Sequence, residues 1–379
     1  MGAMMFAERF NIPFIVNIPV LAEATGISSW VPYDLPLLSL KANKSFIWRS
    51  LDVLVHFVMK FADLFTCVGM LNKIRAQFSL PAIASIGDAF AKSVVLFDTA
   101  HGFEFAIAQT PNVFHVGPMI PQTFINTQSK QAQQVRVLNY LNADKSDKFI
   151  IYVAMGTWDP ITAQQAKHLI HIFNSHKEYN FLWSLRYDTK AFETEQVVFP
   201  DHVTVEPWVP QVQVLEHERV KLFISHCGMN SVHESIMAEK PIMCLPSFAD
   251  QFSTAFHVHA SQIGLYEMQL SAKTRDSASE KIKQILEAVN YANHVKATRK
   301  LKNLFEFAGG AKRAMEITEH VITVGSEHLL GITQTQDYVF AVLPYYFVVM
   351  LLVLLLLATS KCCCKCCCCC KRNVKLKNE

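Results

Sequence analysis

Charged side chains are scarce in this chain of 379 residues: they make up 18% of it, against 51% hydrophobic residues. Intrinsic disorder is excluded, because disordered chains combine low hydrophobicity with high charge. Residues 361–379 contain six basic side chains and one acidic side chain, a net charge of +5. Since the whole chain carries +3, the other 360 residues carry −2. A nearly neutral body without a basic stripe indicates that nucleic acid is not a partner.

Cysteine is also rare in the body of the chain. Eight of the eleven cysteines lie between Cys362 and Cys370, which leaves Cys67, Cys227 and Cys244 elsewhere. Three scattered thiols predict no disulfide framework. The C-terminal run has two interpretations that the sequence leaves equal, namely S-palmitoylation beside a membrane and low-complexity sequence without a specific role. Metal binding is the weakest interpretation, because no spaced His and Cys pairs accompany the run.

One long uncharged run stands near the C-terminus. Val339–Ala358 is twenty residues long, and a helix of that length spans about 30 Å, the thickness of a bilayer's hydrocarbon core. We therefore predict a single transmembrane helix within residues 338–360 and a Cys- and Lys-rich tail over residues 361–379. The basic tail should stay cytosolic, which places the body in the lumen. Lys375 and Lys377 resemble a dilysine retrieval signal, which indicates the endoplasmic reticulum.

The start of the chain lacks a recognisable signal peptide, which a luminal body requires. Glu8 and Arg9 interrupt the first apolar stretch, whereas a signal peptide has a continuous apolar segment. Two interpretations remain: the true N-terminus is absent from this sequence, or the protein is tail-anchored with a cytosolic body.

From residue 148 onward, short β-rich runs alternate with helical segments, the pattern of a parallel, doubly wound α/β sheet. Ligands of such sheets bind beyond the carboxyl ends of the strands. The predicted strands are Phe149–Ala154, Phe181–Leu185, Val203–Val205, Leu222–Ser225, Ile242–Leu245 and Leu265–Met268. The predicted helices are Ala163–His176, Gln211–His217, Asn230–Glu239, Gln251–Gln262, Ala278–Asn290, Val295–Phe307 and Ala311–Val324.

Residues 1–120 are less regular and are predicted to form a partial second domain. Residues 121–147, rich in Gln, Asn and Ser, are the predicted linker to the domain of residues 148–330. The predicted elements of the first domain are a helix at Ala3–Phe10, a strand at Ile12–Pro19, a helical stretch at Ile47–Phe78 with a break near Gly69, and strands at Ser93–Asp98 and Val113–Val116.

The most informative stretch for function spans residues 206–251. A predicted strand ends at His226 and Gly228, and a helix is predicted to begin at Asn230 or Ser231. A helix N-terminus offers free N–H groups and a partial positive charge, which suit a phosphate. Gly228 allows close approach of the backbone, and His226 can donate a hydrogen bond to a diphosphate oxygen.

The same stretch has a purely structural interpretation, because Ser231-x-x-Glu234 is also a capping box. Neighbouring motifs favour the functional one. Trp208-Val-Pro-Gln211, the segment from His226 to Ser235 (HCGMNSVHES) and Asp250-Gln251 follow one another within about forty-five residues. Together they resemble the nucleotide-sugar signature of the UDP-glycosyltransferases, in which W-x-P-Q, H-C-G-x-N-S-x-x-E-S and D/E-Q occur in this order.

A looser resemblance covers most of residues 1–330, including Tyr152-Val-Ala-Met-Gly-Thr157 and Val116-Gly-Pro118. It implies two Rossmann-like domains of the GT-B type, of which the N-terminal one is incomplete. The implied activity is transfer of a hexose or hexuronic acid from a UDP-sugar to a hydroxyl of a small lipophilic acceptor, with inversion and without a metal or other cofactor. The sugar, the acceptor and homo-oligomerisation stay open.

The resemblance implies UDP-sugar-binding roles for twelve residues. They are Trp208 and Val209 for uracil, Gln211 and Glu234 for ribose, Thr157, His226, Asn230 and Ser231 for the diphosphate, Gly156 and Gly228 at the turns beside it, and Asp250 and Gln251 for the sugar. His226 and the helix dipole would supply positive charge as UDP leaves.

The resemblance also implies what is missing. In this family a histidine takes the proton of the acceptor hydroxyl and an aspartate orients that histidine. Gly2–Pro13 resembles the region just after the aspartate, so both catalytic residues are expected upstream of Met1. None of the fifteen histidines is assigned as the base. The alternative is a membrane-anchored nucleotide-sugar-binding subunit or an inactive fragment.

Overall fold

Two parallel β-sheets organise the protein. The computed structural model describes residues 2–20, 67–83, 90, 92–104, 110–120, 128–143, 148–157 and 160–330. The smaller sheet consists of β1 (Ile15–Ile18), β2 (Val94–Phe97) and β3 (Val113–His115), in that order. The larger sheet consists of β4 (Ile150–Ala154), β5 (Asn180–Ser184), β6 (Val203–Glu206), β7 (Val220–Ser225), β8 (Ile242–Cys244) and β9 (Gly264–Tyr266).

The larger sheet has the strand order β6-β5-β4-β7-β8-β9, and every pairing in it is parallel. This is the doubly wound order, in which the chain moves to one side of β4 first and then to the other. The predicted fold class of this domain is therefore present, and each predicted strand is found with ends shifted by three residues or fewer.

Helices cover both faces of the larger sheet. The described helices are α1 (Gly2–Arg9), α2 (Cys67–Gln77), α3 (Gln128–Ala143), α4 (Ala163–Asn174), α5 (Thr189–Thr194), α6 (Gln211–Glu216), α7 (Met229–Met237), α8 (Gln251–Ala260), α9 (Arg275–Leu286), α10 (Ala288–Ala308) and α11 (Gly310–Val324).

The strand β4 is apolar at every position because both of its faces are buried. Ile150 and Tyr152 point into a core that includes residues of α7 and α10, whereas Ile151 and Val153 point into a second core with α4 and α9. A strand buried on both faces needs apolar residues at every position rather than at alternate ones.

Two predicted features concern helices outside the larger sheet. The helix α2, in the chain between β1 and β2, begins at Cys67 and includes Gly69. Residues 47–66 of the predicted helical stretch lie outside the described ranges, so a break near Gly69 stays a prediction. The predicted linker contains the helix α3, whose Val137 and Leu141 are buried in the core of the larger sheet. Gln131, Asn139 and Asn142 of this helix are exposed, whereas Gln133 and Gln134 are half-buried and donate hydrogen bonds to Glu206 and Gln213 of the larger domain.

The last two helices connect the domains. Gly310 donates its N–H to the carbonyl oxygen of Val116, just after β3. Ile317 and Val321 of α11 pack against Val94 and Leu96 of β2. The chain thus returns from the larger domain to cover the smaller sheet.

No helix within the described ranges is long and apolar enough to cross a membrane. The predicted span at Val339–Ala358 and the tail of residues 361–379 lie outside those ranges.

Candidate nucleotide-sugar site

The carboxyl ends of β4 and β7 open into a cavity of about 620 Å³. Because the chain reverses its direction across the sheet between these strands, this edge is the place where doubly wound sheets bind ligands. All twelve residues predicted to bind a UDP-sugar line this cavity. Pro19, which follows β1 of the smaller sheet, also lines it. The structure thus brings the predicted set together, while binding itself stays a prediction.

A hydrogen-bond network joins the predicted ribose ligands. The amide Nε2 of Gln211 donates to Oε2 of Glu234 at 2.5 Å and to Oγ of Ser231 at 3.2 Å. The hydroxyl of Tyr152 donates to Oε1 of the same amide at 2.9 Å. Gln211 is therefore held in one orientation, with both of its polar ends used.

The capping-box interpretation of Ser231 and Glu234 is wrong. The helix α7 begins at Met229, and its N-cap is Gly228, which makes no side-chain cap hydrogen bond. Ser231 therefore lies within the first turn rather than at the cap. The first N–H groups of α7 have no side-chain cap, and Met229, Asn230 and Ser231 line the cavity. An uncapped helix N-terminus at a cavity is suited to bind an anion.

His226 lies in a slot between two glycines. A Cβ atom added to Gly156 would lie 2.8 Å from Nε2 of His226, and one added to Gly228 would lie 2.6 Å from it. Gly156 also has φ of +85°, a left-handed backbone that favours glycine. Both glycines thus leave room for the imidazole, and the backbone conformation favours glycine at Gly156 alone of the two.

Burial determines the charge of His226 in the ligand-free protein. Burial lowers the pKa of His226, although a hydrogen bond with the backbone of Ala154 opposes the shift. The imidazole is therefore neutral at pH 7 in the ligand-free protein. It offers an N–H donor rather than a standing positive charge, and the helix α7 supplies the fixed positive potential.

The predicted sugar ligands lie where the loop of residues 247–250 meets α8. Hydrogen bonds within the protein fix the conformation of this loop. Oε1 of Gln251 accepts hydrogen bonds from the backbone N–H groups of Ser247 at 2.9 Å and Phe248 at 3.2 Å. Between them and Asp250, Ala249 adopts φ of +54°. A left-handed alanine costs about 1–2 kcal/mol, which is typical of loops at functional sites.

The two carboxyl groups of the cavity are both partly desolvated. Burial raises the pKa of Glu234, and the hydrogen bond from Gln211 opposes that shift. Burial likewise raises the pKa of Asp250, opposed by its own backbone N–H. Each carboxylate is thus partly shielded from water, and ligand hydroxyls that donate hydrogen bonds to it would stabilise its charged form.

Two of the three body cysteines form one pair, a contact that the sequence analysis did not predict. Cys227 and Cys244 form a disulfide with their Cα atoms 5.3 Å apart, inside the usual range. The register of β7 and β8 pairs Ser225 with Cys244, so the two cysteines meet although seventeen positions separate them in the chain. The pair joins the strand ends that lead to His226 and to the Ser247–Gln251 loop. The sequence alone does not reveal this register.

Sequence analysis missed several lining residues, among them Tyr152, Ser184 and Ser247. Ser184 is the last residue of β5, which pairs with β4. Its position at the carboxyl end of a strand could have predicted that it lines the cavity. Tyr152 lies inside an apolar strand and gave no such signal.

Within the part of the chain that the structure describes, no group of three His, Cys, Asp or Glu side chains is placed to hold a metal ion.

Comparison with known proteins identifies the family. Residues 20–377 match the model of the family described as UDP-glucoronosyl and UDP-glucosyl transferase. The chain therefore belongs to the UDP-glycosyltransferase family. It is 24% identical over 287 residues to UDP-glucuronosyltransferase 3A1 of Mus musculus, a match that covers 74% of this chain and 52% of the mouse protein. The chain thus spans about half the length of that relative.

A plant relative and a solved structure agree with this assignment. UDP-glycosyltransferase 89B2 of Stevia rebaudiana is 31% identical over 163 residues, which are 40% of this chain and 34% of the plant protein. The crystal structure of UDP-glucose: anthocyanidin 3-O-glucosyltransferase in complex with UDP aligns with a TM-score of 0.56 and 19% identity, covering 86% of this chain and 73% of that one. The fold is accordingly the GT-B fold of glycosyltransferases.

Proposed function

We propose that the protein binds a UDP-sugar in the 620 Å³ cavity and serves the transfer of its sugar to a hydroxyl of a small lipophilic acceptor, with inversion. The observation that carries the proposal is the convergence of all twelve predicted residues on one cavity at the switch point. Family membership and a structural relative solved in complex with UDP support it.

The contacts of the proposed complex follow from the groups that line the cavity. Trp208 would stack on uracil, and the Glu234 carboxylate would accept hydrogen bonds from the ribose hydroxyls in addition to the one from Gln211. The N-terminus of α7 and the N–H of His226 would hold the diphosphate. Asp250 and Gln251 would contact the sugar hydroxyls. The N-terminus of α7 and the N–H of His226 would stabilise the negative charge that develops on UDP as it leaves, without a metal ion.

Calorimetry tests the binding step. UDP is titrated into the detergent-solubilised full chain in the presence of EDTA. We expect saturable binding that Trp208→Ala weakens by about tenfold, since base stacking on an aromatic side chain contributes about 1–3 kcal/mol. Phe307→Ala is the matched control, because Phe307 is 91% exposed and lies on α10, away from the cavity. No UDP binding to folded protein would refute the proposal.

A second function, donor binding without transfer, rests on a specific observation. Among the described residues that line the cavity, His226 is the only histidine, and it lies in the glycine slot beside α7. Within that described lining, no second histidine is therefore placed as the general base. A base contributes about 10²–10⁴-fold to such reactions, so we expect residues 1–379 alone to turn over radiolabelled UDP-sugars with phenolic, sterol or lipid acceptors at no useful rate. Turnover well above the uncatalysed rate would contradict this expectation, because it would show that the chain contains its own base.

We also propose that the body is anchored by one C-terminal span, with the body in the lumen of the endoplasmic reticulum and the tail in the cytosol. The proposal rests on the uncharged run Val339–Ala358 and the basic residues after it.

A further inference from the structure

A second cavity, of about 930 Å³, lies where the two domains meet. One wall of this junction cavity is the turn of residues 102–104, which follows β2 of the smaller sheet, and the other wall is formed by the C-terminal end of α8 and by α10. The helix α8 begins with Gln251 at the donor cavity and ends with Ala260 at the junction cavity. Its ten residues separate the two cavities by about 15 Å. The junction cavity is therefore distinct from the proposed donor site.

The floor of the junction cavity is apolar and is fixed by contacts between the two domains. Phe103 is 2% exposed and packs edge-on against Phe305 of α10, with the ring centroids 6.1 Å apart. Nδ1 of His257 on α8 donates a hydrogen bond to the carbonyl oxygen of Phe103 at 2.9 Å. Leu301 and Leu304 of α10 also line the cavity. A ligand would thus meet an apolar surface that is already in place.

The rim of the junction cavity carries positive charge. The charged residues of its lining are Lys296, Lys300 and Glu104. Both lysines are exposed, and they lie four positions apart on the same side of α10. The Glu104 side chain is 2% exposed, and its Oε1 lies 3.8 Å from Nδ1 of His115 on β3. The charge that a ligand would meet is therefore that of the two lysines.

The lysines of the junction cavity differ from the other cations of α10 in their pairing. Arg299 and Lys302 both pair with Glu239, at 2.8 Å and 3.2 Å. Within the part of the chain that the structure describes, no carboxylate pairs with Lys296 or Lys300. An anionic group placed between two ammonium groups accepts charge-assisted hydrogen bonds from both, and these are stronger than neutral ones. The two lysines are therefore suited to hold one anionic group of a ligand.

We propose that the junction cavity is a second binding site, for a free amphiphilic anion with one apolar chain and one anionic head group. The chain would lie on Phe103, Leu301 and Leu304, and the head group would lie between Lys296 and Lys300. The volume of about 930 Å³ suits such a ligand, because small-molecule sites have about 300–1,000 Å³ and are frequent at domain interfaces. The proposal does not depend on the proposed function, because α8 separates the two cavities.

Photocrosslinking tests the proposal on the full chain in nanodiscs of phosphatidylcholine. The probe is dodecyl sulfate with a diazirine in its chain, used below its micelle concentration, and its neutral match is a dodecyl maltoside with the same chain. An alkyl sulfate has no hydroxyl group that could accept a sugar, so it is not an acceptor. Peptide mass spectrometry locates the labels. We expect the sulfate to label residues 102–104 and 293–304 about tenfold more than the maltoside does.

Two double variants with the same change of charge separate the cavity lysines from the rest of α10. Lys296→Gln combined with Lys300→Gln should reduce labelling by the sulfate about tenfold and leave labelling by the maltoside unchanged. Arg299→Gln combined with Lys302→Gln is the matched control, because it removes equal charge from the same helix but from side chains that pair with Glu239. The control should leave labelling unchanged.

Three results would overturn the proposal. Equal labelling by the sulfate and the maltoside would show that the head group is not recognised. Absence of label from residues 102–104 and 293–304, or an equal loss of label in both double variants, would show that the lysines of the cavity do not hold it. Loss of label when phosphatidylglycerol replaces phosphatidylcholine would assign the lysines to the head group of a membrane lipid rather than to a free ligand.

Discussion

Replacing Glu234 by glutamine should stabilise the protein and weaken its ligand binding at the same time. The carboxyl group accepts the Nε2 hydrogen bond of Gln211 at 2.5 Å, yet burial raises its pKa above the ordinary value of 4.5. The raised pKa means that burial outweighs the hydrogen bond. Folding therefore favours the protonated carboxyl group over the carboxylate.

The sign of the stability effect follows from this pKa. A carboxyl group with a raised pKa contributes its stability below the unfolded-state pKa, and the contribution is lost as the pH rises through the folded-state pKa. At pH 7 the Glu234 carboxylate is consequently a net cost to folding. Glu234→Gln removes the charge and keeps the shape, so the melting temperature should rise at pH 7. A change of about 1 kcal/mol corresponds to about 2–4 °C in a domain of this size.

The effect on UDP binding has the opposite direction. A hydrogen bond to a charged group contributes about 1.5–3 kcal/mol and a neutral one about 0.5–1.5 kcal/mol. Loss of the charge thus costs about 1 kcal/mol per bond, or about 2 kcal/mol for the two ribose hydroxyls, which weakens Kd by about 30-fold. UDP affinity of the unaltered chain should likewise fall as the pH is lowered through the raised pKa of Glu234.

Thermal melting and UDP calorimetry on the same samples measure both effects. Glu280→Gln, on the exposed side of α9, is the control and should change neither quantity. Unchanged UDP affinity in Glu234→Gln would show that the carboxylate does not bind ribose. A lower melting temperature would show that its hydrogen bond to Gln211 outweighs its burial.

Three further predictions concern the glycine slot, His226 and the anchor. Gly228→Ala should weaken UDP binding by about tenfold or more, because the added Cβ would lie 2.6 Å from Nε2 of His226 and displace the ring; unchanged affinity in calorimetry would remove the glycine requirement. His226→Ala should weaken binding of UDP but not of uridine, because the imidazole is assigned to the diphosphate; equal losses for both ligands would contradict that assignment. The full chain should stay in the membrane fraction after carbonate washing, and deletion of residues 338–379 should release it; extraction of the full chain would disprove the span.

The sequence predicted the larger domain well, because its strands are buried on both faces. A run such as Phe149–Ala154 is apolar at every position, and few structures other than a central parallel strand accommodate it at that length. The motifs around Trp208 and His226 then predicted a ligand site at strand ends, where the structure brings the predicted residues together around one cavity.

What the sequence analysis missed has one physical cause: it depends on contacts between residues that are far apart in the sequence. Ser231 and Glu234 satisfy the local capping pattern, but Gln211 on another helix pairs with both. Cys227 and Cys244 meet only through the register of β7 and β8. The helix α3 looked like a linker because its apolar positions are few and its partners lie in the core of the larger sheet.

A crystal structure of the full chain with UDP tests the central claim most directly. The account predicts uracil on the face of Trp208, the diphosphate at the N-terminus of α7 beside His226, and the ribose hydroxyls within hydrogen-bond distance of the Glu234 carboxylate. UDP bound elsewhere would contradict it, for example in the 930 Å³ cavity beside Lys296 and Lys300 with the switch-point cavity empty.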